Sequence, residues 1–345
     1  MNILKYILLI IFAVLVSINA CNETVTQAPV QDNETPQPLP FPHTLSDNIQ
    51  YSELGSGKIV FERSGSIGDD NYQGIYVIDV NNKTNWGFSS ERLSGVQISP
   101  EGDKIISSVY SASFYCLQLT DIYGKVIYTL SGALSGSPAY LFSPSWLPDN
   151  RRFVYYETYY NPWNGDKGSA LNMWDSAFKN AYKMIDFYTI DSNNFQPGPG
   201  GNRNLISVSK DGFCIFTEGH YGIYYFDINE KYYYPLIKPP FNYDYYNPVW
   251  NPSGEEIALL SSPNIEETSI LLFKANGDYL TNIYSMQKQY GIYNLCWSPD
   301  GSKILFSMLD GSNTSHIYLM NADGTNLIKV TSLSGVRDGS VSWGK

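Results

Sequence analysis

The chain has 345 residues, a formal net charge of −11 and only 16% charged side chains. Phosphate binding needs clustered Lys and Arg, and no basic run exists here, so nucleic acid is excluded as a partner. Tyrosine, at 29 residues, is the outlying count, and four cysteines are too few for a disulfide framework.

Residues 1–20 read as a signal segment. Lys5 is its one charge, and the apolar run from Tyr6 to Val16 is too short for a membrane span. The run ends in Ser17-Ile18-Asn19-Ala20-Cys21. A small residue followed by Cys at this point resembles a bacterial lipobox, which implies cleavage before Cys21 and a lipid on its thiol. An ordinary secretory site after Ala20 is the alternative, and the bulky Ile18 fits it poorly. Residues 21–50 carry Pro29, Pro36, Pro38, Pro40 and Pro42 among polar residues with no apolar period, the composition of a disordered, Pro-rich tether.

From residue 51 onward one phrase recurs. Its clearest copy is Cys296-Trp297-Ser298-Pro299-Asp300-Gly301-Ser302-Lys303-Ile304-Leu305-Phe306, and a second is Val249-Trp250-Asn251-Pro252-Ser253-Gly254-Glu255-Glu256-Ile257. Weaker copies start at Ile98, Trp146 and Val208. Proline suits the end of a strand because it donates no ladder hydrogen bond. Asp-Gly or Ser-Gly then supplies a tight turn with positive φ at Gly, and a second apolar strand follows. Two further strands complete each repeat, as in Ile317–Met320 and Leu327–Val330 around the turn Asn321-Ala322-Asp323-Gly324. Four antiparallel strands per repeat of about 40–50 residues make a propeller blade. Trp343 marks a first strand, within Gly339–Lys345, that no second strand follows, while Lys58–Arg63 reads as a second strand with no first. The expected fold is therefore all-β: a six-bladed propeller over 51–345, closed by the C-terminal strand joining the first blade.

The repeat, with Ile317-Tyr318-Leu319-Met320-Asn321-Ala322-Asp323-Gly324 after it, resembles that of TolB-type propellers. The resemblance implies a six-bladed scaffold of the cell envelope that binds other proteins through a propeller face. The same repeat occurs in propeller domains of serine peptidases and some polysaccharide lyases. TolB's N-terminal α/β domain is replaced in this reading by the Pro-rich tether, and no functional residue carries over.

No catalytic, cofactor or metal motif is expected. His220 and His316 lack neighbours at ligand spacing, no Gly-x-Ser-x-Gly elbow occurs, and Asp149, Asp211, Asp300 and Asp323 read as turn formers. Cys116, Cys214 and Cys296 fall in separate repeats and read as buried thiols. The suggestive feature is aromatic. Tyr140, Tyr243, Tyr245, Tyr246, Tyr290 and Tyr293 precede or open first strands, and an insertion over 159–183 holds Trp163 and Trp174. Within it, residues 170–182 predict a short helix with Trp174, Phe178 and Tyr182 on one stripe. Such a face offers contact area with polar tips, although tyrosine also packs strands.

The expected function is a non-enzymatic envelope lipoprotein, monomeric, tethered through Cys21 and binding an envelope protein or peptide. Its location would be the periplasmic side of the outer membrane or the outer face of the cytoplasmic membrane. A carbohydrate-binding propeller is the first alternative; a polysaccharide lyase or peptidase-related propeller is the second.

Overall fold

The computed structural model describes residues 48–345 apart from 68–69, 90–92, 112–113, 131–138, 161–166, 178, 189–205, 218–221, 241–242, 263–266, 288–290 and 310–313. The signal segment and most of the tether, with Cys21, lie outside the described residues.

A single helical turn, α1 (Tyr51–Leu54), leads into β1 (Lys58–Ile67), β2 (Asp70–Asn71), β3 (Gly74–Asp79) and β4 (Thr84–Ser89). Four antiparallel four-stranded sheets follow. The first is β5 (Leu93–Ile98), β6 (Lys104–Ser111), β7 (Phe114–Asp121) and β8 (Val126–Leu130). The second is β9 (Ala139–Trp146), β10 (Arg152–Tyr160), β11 (Lys167–Asp175) and β12 (Asn180–Tyr188). The third is β13 (Ile206–Val208), β14 (Phe213–Thr217), β15 (Ile223–Asp227) and β16 (Tyr232–Ile237). The fourth is β17 (Asp244–Trp250), β18 (Glu256–Ser262), β19 (Glu267–Lys274) and β20 (Tyr279–Gln287). The chain ends with β21 (Ile292–Trp297), β22 (Lys303–Leu309), β23 (Ser315–Asn321), β24 (Ile328–Lys329) and β25 (Val336–Gly344).

The all-β propeller of four-stranded antiparallel sheets is thus present, but six separate blades are not. Four sheets stand alone. The remaining strands form one nine-stranded sheet, ordered β21-β22-β23-β25-β1-β3-β4 with β2 and β24 at its sides. One parallel pair, Ser315↔Arg337, joins β23 to β25 and merges the two runs. Closure follows the expected route: β25 pairs antiparallel with β1 from Lys58↔Gly344 to Gly65↔Val336.

The repeated phrase folds for the reasons its residues suggest. In each copy the residue after the first strand accepts the turn hydrogen bond: Gly102 N–H to the Ser99 carbonyl, Gly212 to Ser209, Gly254 to Asn251 and Gly301 to Ser298. These glycines have φ of 70°, 83°, 74° and 72°, the left-handed region that a Cβ disfavours. The copy without glycine places Asn150 there at φ 56°, the substitute best able to tolerate it. The repeat tryptophans tie neighbours together. Trp146 Nε1 donates to the Gln97 carbonyl and Trp297 Nε1 to the Val249 carbonyl, both at 3.3 Å. Trp343 Nε1 reaches the Ser56 carbonyl at 2.9 Å.

The apolar core lies mostly between sheets. Val96 and Ile105 pack against Val60 and Val77; Ile106 and Leu119 against Trp146 and Phe153; Phe216 and Phe226 against Val154 and Leu171; Ala258 and Leu260 against Leu295 and Phe306. Each sheet is therefore buried on both faces by its neighbours. The faces are thereby covered, while the first and fourth strands of each separate sheet remain its edges, the fourth facing solvent.

Candidate binding surfaces

The hairpins give the propeller two unlike faces. On one, short turns join first to second and third to fourth strands. On the other, loops join second to third strands and enter each first strand; we call this the loop face.

Tyr140 opens β9 on the loop face and is 42% exposed. Its ring lies 6.0 Å from that of Tyr115, which lies 5.0 Å from Tyr110. Tyr110 and Tyr115 pair across the β6–β7 hairpin. Sequence reasoning missed both, although their position on either side of a second-to-third connection would have placed them here. Tyr243 and Tyr293 are also exposed on this face. The side-chain amide of Asn247 holds the Tyr293 carbonyl, which fixes the backbone where β21 begins.

The other predicted residues separate from this group. Tyr245 is buried against Ile215, Ile237 and Leu259, with its ring 5.8 Å from Phe273. Burial first, then Tyr243 and Tyr279, raises its hydroxyl pKa, as expected for a packing residue. Tyr246 is half-buried against the core that Val249 and Ile292 share. Trp163 and Tyr290 lie outside the described residues.

The predicted helix is replaced by a hairpin. Residues 170–175 belong to β11 and 180–182 to β12, so the expected insertion is an ordinary pair of blade strands. Trp174 sits at the short-turn end, 3% exposed, stacked 4.7 Å from Tyr128. It is a core residue on the wrong face for the predicted site. Tyr182 is exposed on the partner strand, opposite Met173.

The short-turn face carries a pattern of its own. In four successive repeats the turn before the fourth strand reads Asp-x-x-x-Lys: Asp79…Lys83, Asp121…Lys125, Asp175…Lys179 and Asp227…Lys231. Each Asp accepts backbone N–H groups of its own turn. Asp79 takes Asn82; Asp121 takes Tyr123 and Lys125; Asp175 takes Ala177; Asp227 takes Asn229 and Glu230. Each Lys is exposed immediately before its fourth strand. Large exposed apolar or aromatic side chains stand at the short-turn ends of the fourth strands: Val126, Ile127, Tyr182, Tyr232, Tyr233 and Tyr234 after lysines of this pattern, and Tyr279, Leu280 and Leu327 in the repeats without it. These are nine of fourteen such side chains among the described residues. Exposed apolar surface is thus concentrated on this rim as well as on the loop face.

A buried ion pair lies where the chain closes. Arg63 on β1 donates through Nε and Nη2 to the Asp338 carboxylate on β25, at 2.6 and 2.8 Å. Thr331 Oγ1 also donates to that carboxylate at 2.5 Å, and Ser315 Oγ to the Asp338 carbonyl at 2.7 Å. The guanidinium lies 5.0 Å from the Tyr76 ring centroid and 5.4 Å from that of Phe61. Both charged groups are fully enclosed, so the pair is structural. Among the described residues no three His, Cys, Asp or Glu side chains are grouped to hold a metal.

No family model and no curated protein sequence matches the chain. Solved structures do resemble it. TolB from Acinetobacter baumannii aligns with TM-score 0.63 and 16% identity, over 83% of this chain and 66% of that one. This chain therefore spans just under two thirds of that protein's length. A putative TolB from Agrobacterium tumefaciens aligns with TM-score 0.55 and 16% identity, over 84% and 100%. An oligogalacturonate lyase in complex with manganese aligns at 0.50 and 14%, over 76% and 71%. The fold is a TolB-like β-propeller.

Proposed function

We propose that the chain is a non-enzymatic propeller, tethered to a bacterial membrane through Cys21, that binds an envelope protein or peptide on its loop face. The observation that carries this reading is the tyrosine group in which exposed Tyr110 and Tyr140 flank half-buried Tyr115, with exposed Tyr243 and Tyr293 on the same face. Tyrosine gives a partner large contact area at low entropic cost. The TolB-like fold is in keeping with a cell-envelope scaffold. The carboxylates of the repeated turns are occupied by turn N–H groups, which favours recognition over catalysis. In this reading the nine-stranded sheet is two blades fused by the Ser315↔Arg337 pair, which makes six with the four separate sheets.

Photoreactive residues at Tyr140, Tyr243 and Tyr293 in cells test the proposal, with Tyr182 on the opposite face as the control. One envelope protein captured from the loop-face positions and not from Tyr182 is the expected result. Capture of glycan instead would favour the carbohydrate-binding alternative on the same tyrosines. Crosslinks confined to the chain itself would overturn both.

A further inference from the structure

We propose that the short-turn rim is a contact surface for the anionic headgroups of a lipid bilayer, so that the propeller rests on the membrane by this face and turns its loop face away.

Three observations carry it. The first is the repeated basic residue. Lys83, Lys179 and Lys231 have φ of 55°, 47° and 54°, a conformation in which glycine or asparagine is the economical choice. Lysine gains nothing from the backbone there. No ion pair among the described residues involves these three or Lys125, and each is exposed. The carboxylate of each repeat is turned onto its own N–H groups, and that of Asp175 also pairs with Arg151 at 3.1 Å. The turn therefore presents an ammonium outward although the chain as a whole is acidic. Glu230, Asp278 and Asp323 are exposed acidic residues of the third-to-fourth turns, and Glu101, Asp103, Asp149, Asp211, Glu255 and Asp300 are exposed on the first-to-second turns of the same face, so the cationic character belongs to the outer turns of the first four repeats and not to the whole face.

The second is what stands beside three of the four lysines. Val126 and Ile127 follow Lys125, Tyr182 follows Lys179, and Tyr232 follows Lys231, all exposed. A cation next to an amphipathic or apolar side chain, repeated in three successive sheets, matches a flat surface that is anionic outside and apolar beneath. Tyrosine suits the interfacial layer, and lysine near an anionic leaflet is attracted to it.

The third is where the tether joins. Tyr51 Oη in α1 accepts a hydrogen bond from Asn85 Nδ2 at the start of β4, and Gly57 N–H donates to Asn81 Oδ1 in the turn that holds Lys83. The chain from residue 47 thus meets the propeller at this rim. Read from its composition as a Pro-rich tether, the stretch 22–47 would reach about 30 Å, which would hold this face near a bilayer anchored at Cys21. The orientation rests on the tether reading given above; the charge and apolar pattern do not.

The test uses the full chain reconstituted into vesicles of phosphatidylcholine, with or without phosphatidylglycerol. A fluorophore is placed at Ile127→Cys, Tyr182→Cys or Tyr243→Cys, and quenching by bilayer-embedded quencher lipid is read. Cys116 and Cys214 are buried, burial pushes the Cys214 and Cys296 thiols up, and Cys21 carries the lipid in the proposed reading, so labelling goes to the introduced site. The rim probes should be quenched at least about twofold more than Tyr243 in phosphatidylglycerol vesicles, and the difference should shrink with added salt. A Lys83→Gln, Lys125→Gln, Lys179→Gln, Lys231→Gln variant should lose it, with unchanged circular dichroism as the folding control. Equal quenching at all three sites would overturn the proposal, as would rim quenching that ignores headgroup charge and the four substitutions. Capture of a protein partner by the loop face is a separate measurement, so either proposal can fail alone.

Discussion

Arg63 and Asp338 sit 275 residues apart in sequence and form a bidentate pair sealed from water. Such a pair need not add net stability over an apolar core, but removing one partner strands the other charge. Asp338→Ala should destabilise the protein by about 3–5 kcal/mol in urea unfolding. A double change of Arg63 and Asp338 to apolar residues should recover much of that loss. If the single variant costs as little as a surface substitution, the pair is not enclosed. The turn aspartates behave differently. Hydrogen bonds from Ser298 and then the Ser302 N–H hold the Asp300 carboxyl below its usual range, and bonds from Thr325 do the same for the exposed Asp323. A depressed folded pKa contributes stability that is present above the unfolded value, about 3.9. That stability is lost as pH falls through the folded value. Acid unfolding should therefore begin below about pH 4. Asp300→Asn should flatten the stability profile there while leaving its shape at neutral pH unchanged.

At the scale of the element, the first-to-second turns were legible because their chemistry is local. Gly301 at φ 72° faces the Asn251 side chain, whose Oδ1 would lie 3.1 Å from an added Cβ. Gly301→Ala should cost about 1–2 kcal/mol from the backbone conformation alone, read as a lower urea midpoint with unchanged slope. The segment 170–182 was misread for an equally physical reason. Trp174, Phe178 and Tyr182 stand four apart, which fits a helical stripe. A strand, a turn and a strand can produce the same spacing, and no Gly or Pro marks the turn between Asp175 and Asn180. The Asp-x-x-x-Lys repeat does mark it, since Asp175…Lys179 matches the turns at Asp79, Asp121 and Asp227. Of the predicted aromatic residues, Tyr140, Tyr243 and Tyr293 are exposed on the loop face because they precede or open first strands. Tyr245 did not, because β17 starts at Asp244 and its alternation directs that ring into the core beside Ile215.

For the molecule as a whole, the seam between β1 and β25 decides whether the ring exists. That seam holds the antiparallel pairs from Lys58↔Gly344 to Gly65↔Val336, the Trp343 bond to Ser56, the Ser340 hydroxyl that accepts from Gly95, and the Arg63–Asp338 pair. These contacts link three stretches of sequence that no local interaction could bring together. Deleting residues 336–345 would expose β1 as an open edge, leave Arg63 buried without its carboxylate, and uncover the core that Val341 and Trp343 share with Phe61 and Ile78. The truncated chain should lose its cooperative thermal transition and its near-ultraviolet circular dichroism while keeping much of its β content, because each remaining sheet retains its own ladder. A peptide of residues 334–345 added in trans should restore the transition in a concentration-dependent way, as a ligand of the folded state does. A truncated chain that melted sharply at the parental temperature would show that the other interfaces suffice and that the seam is dispensable.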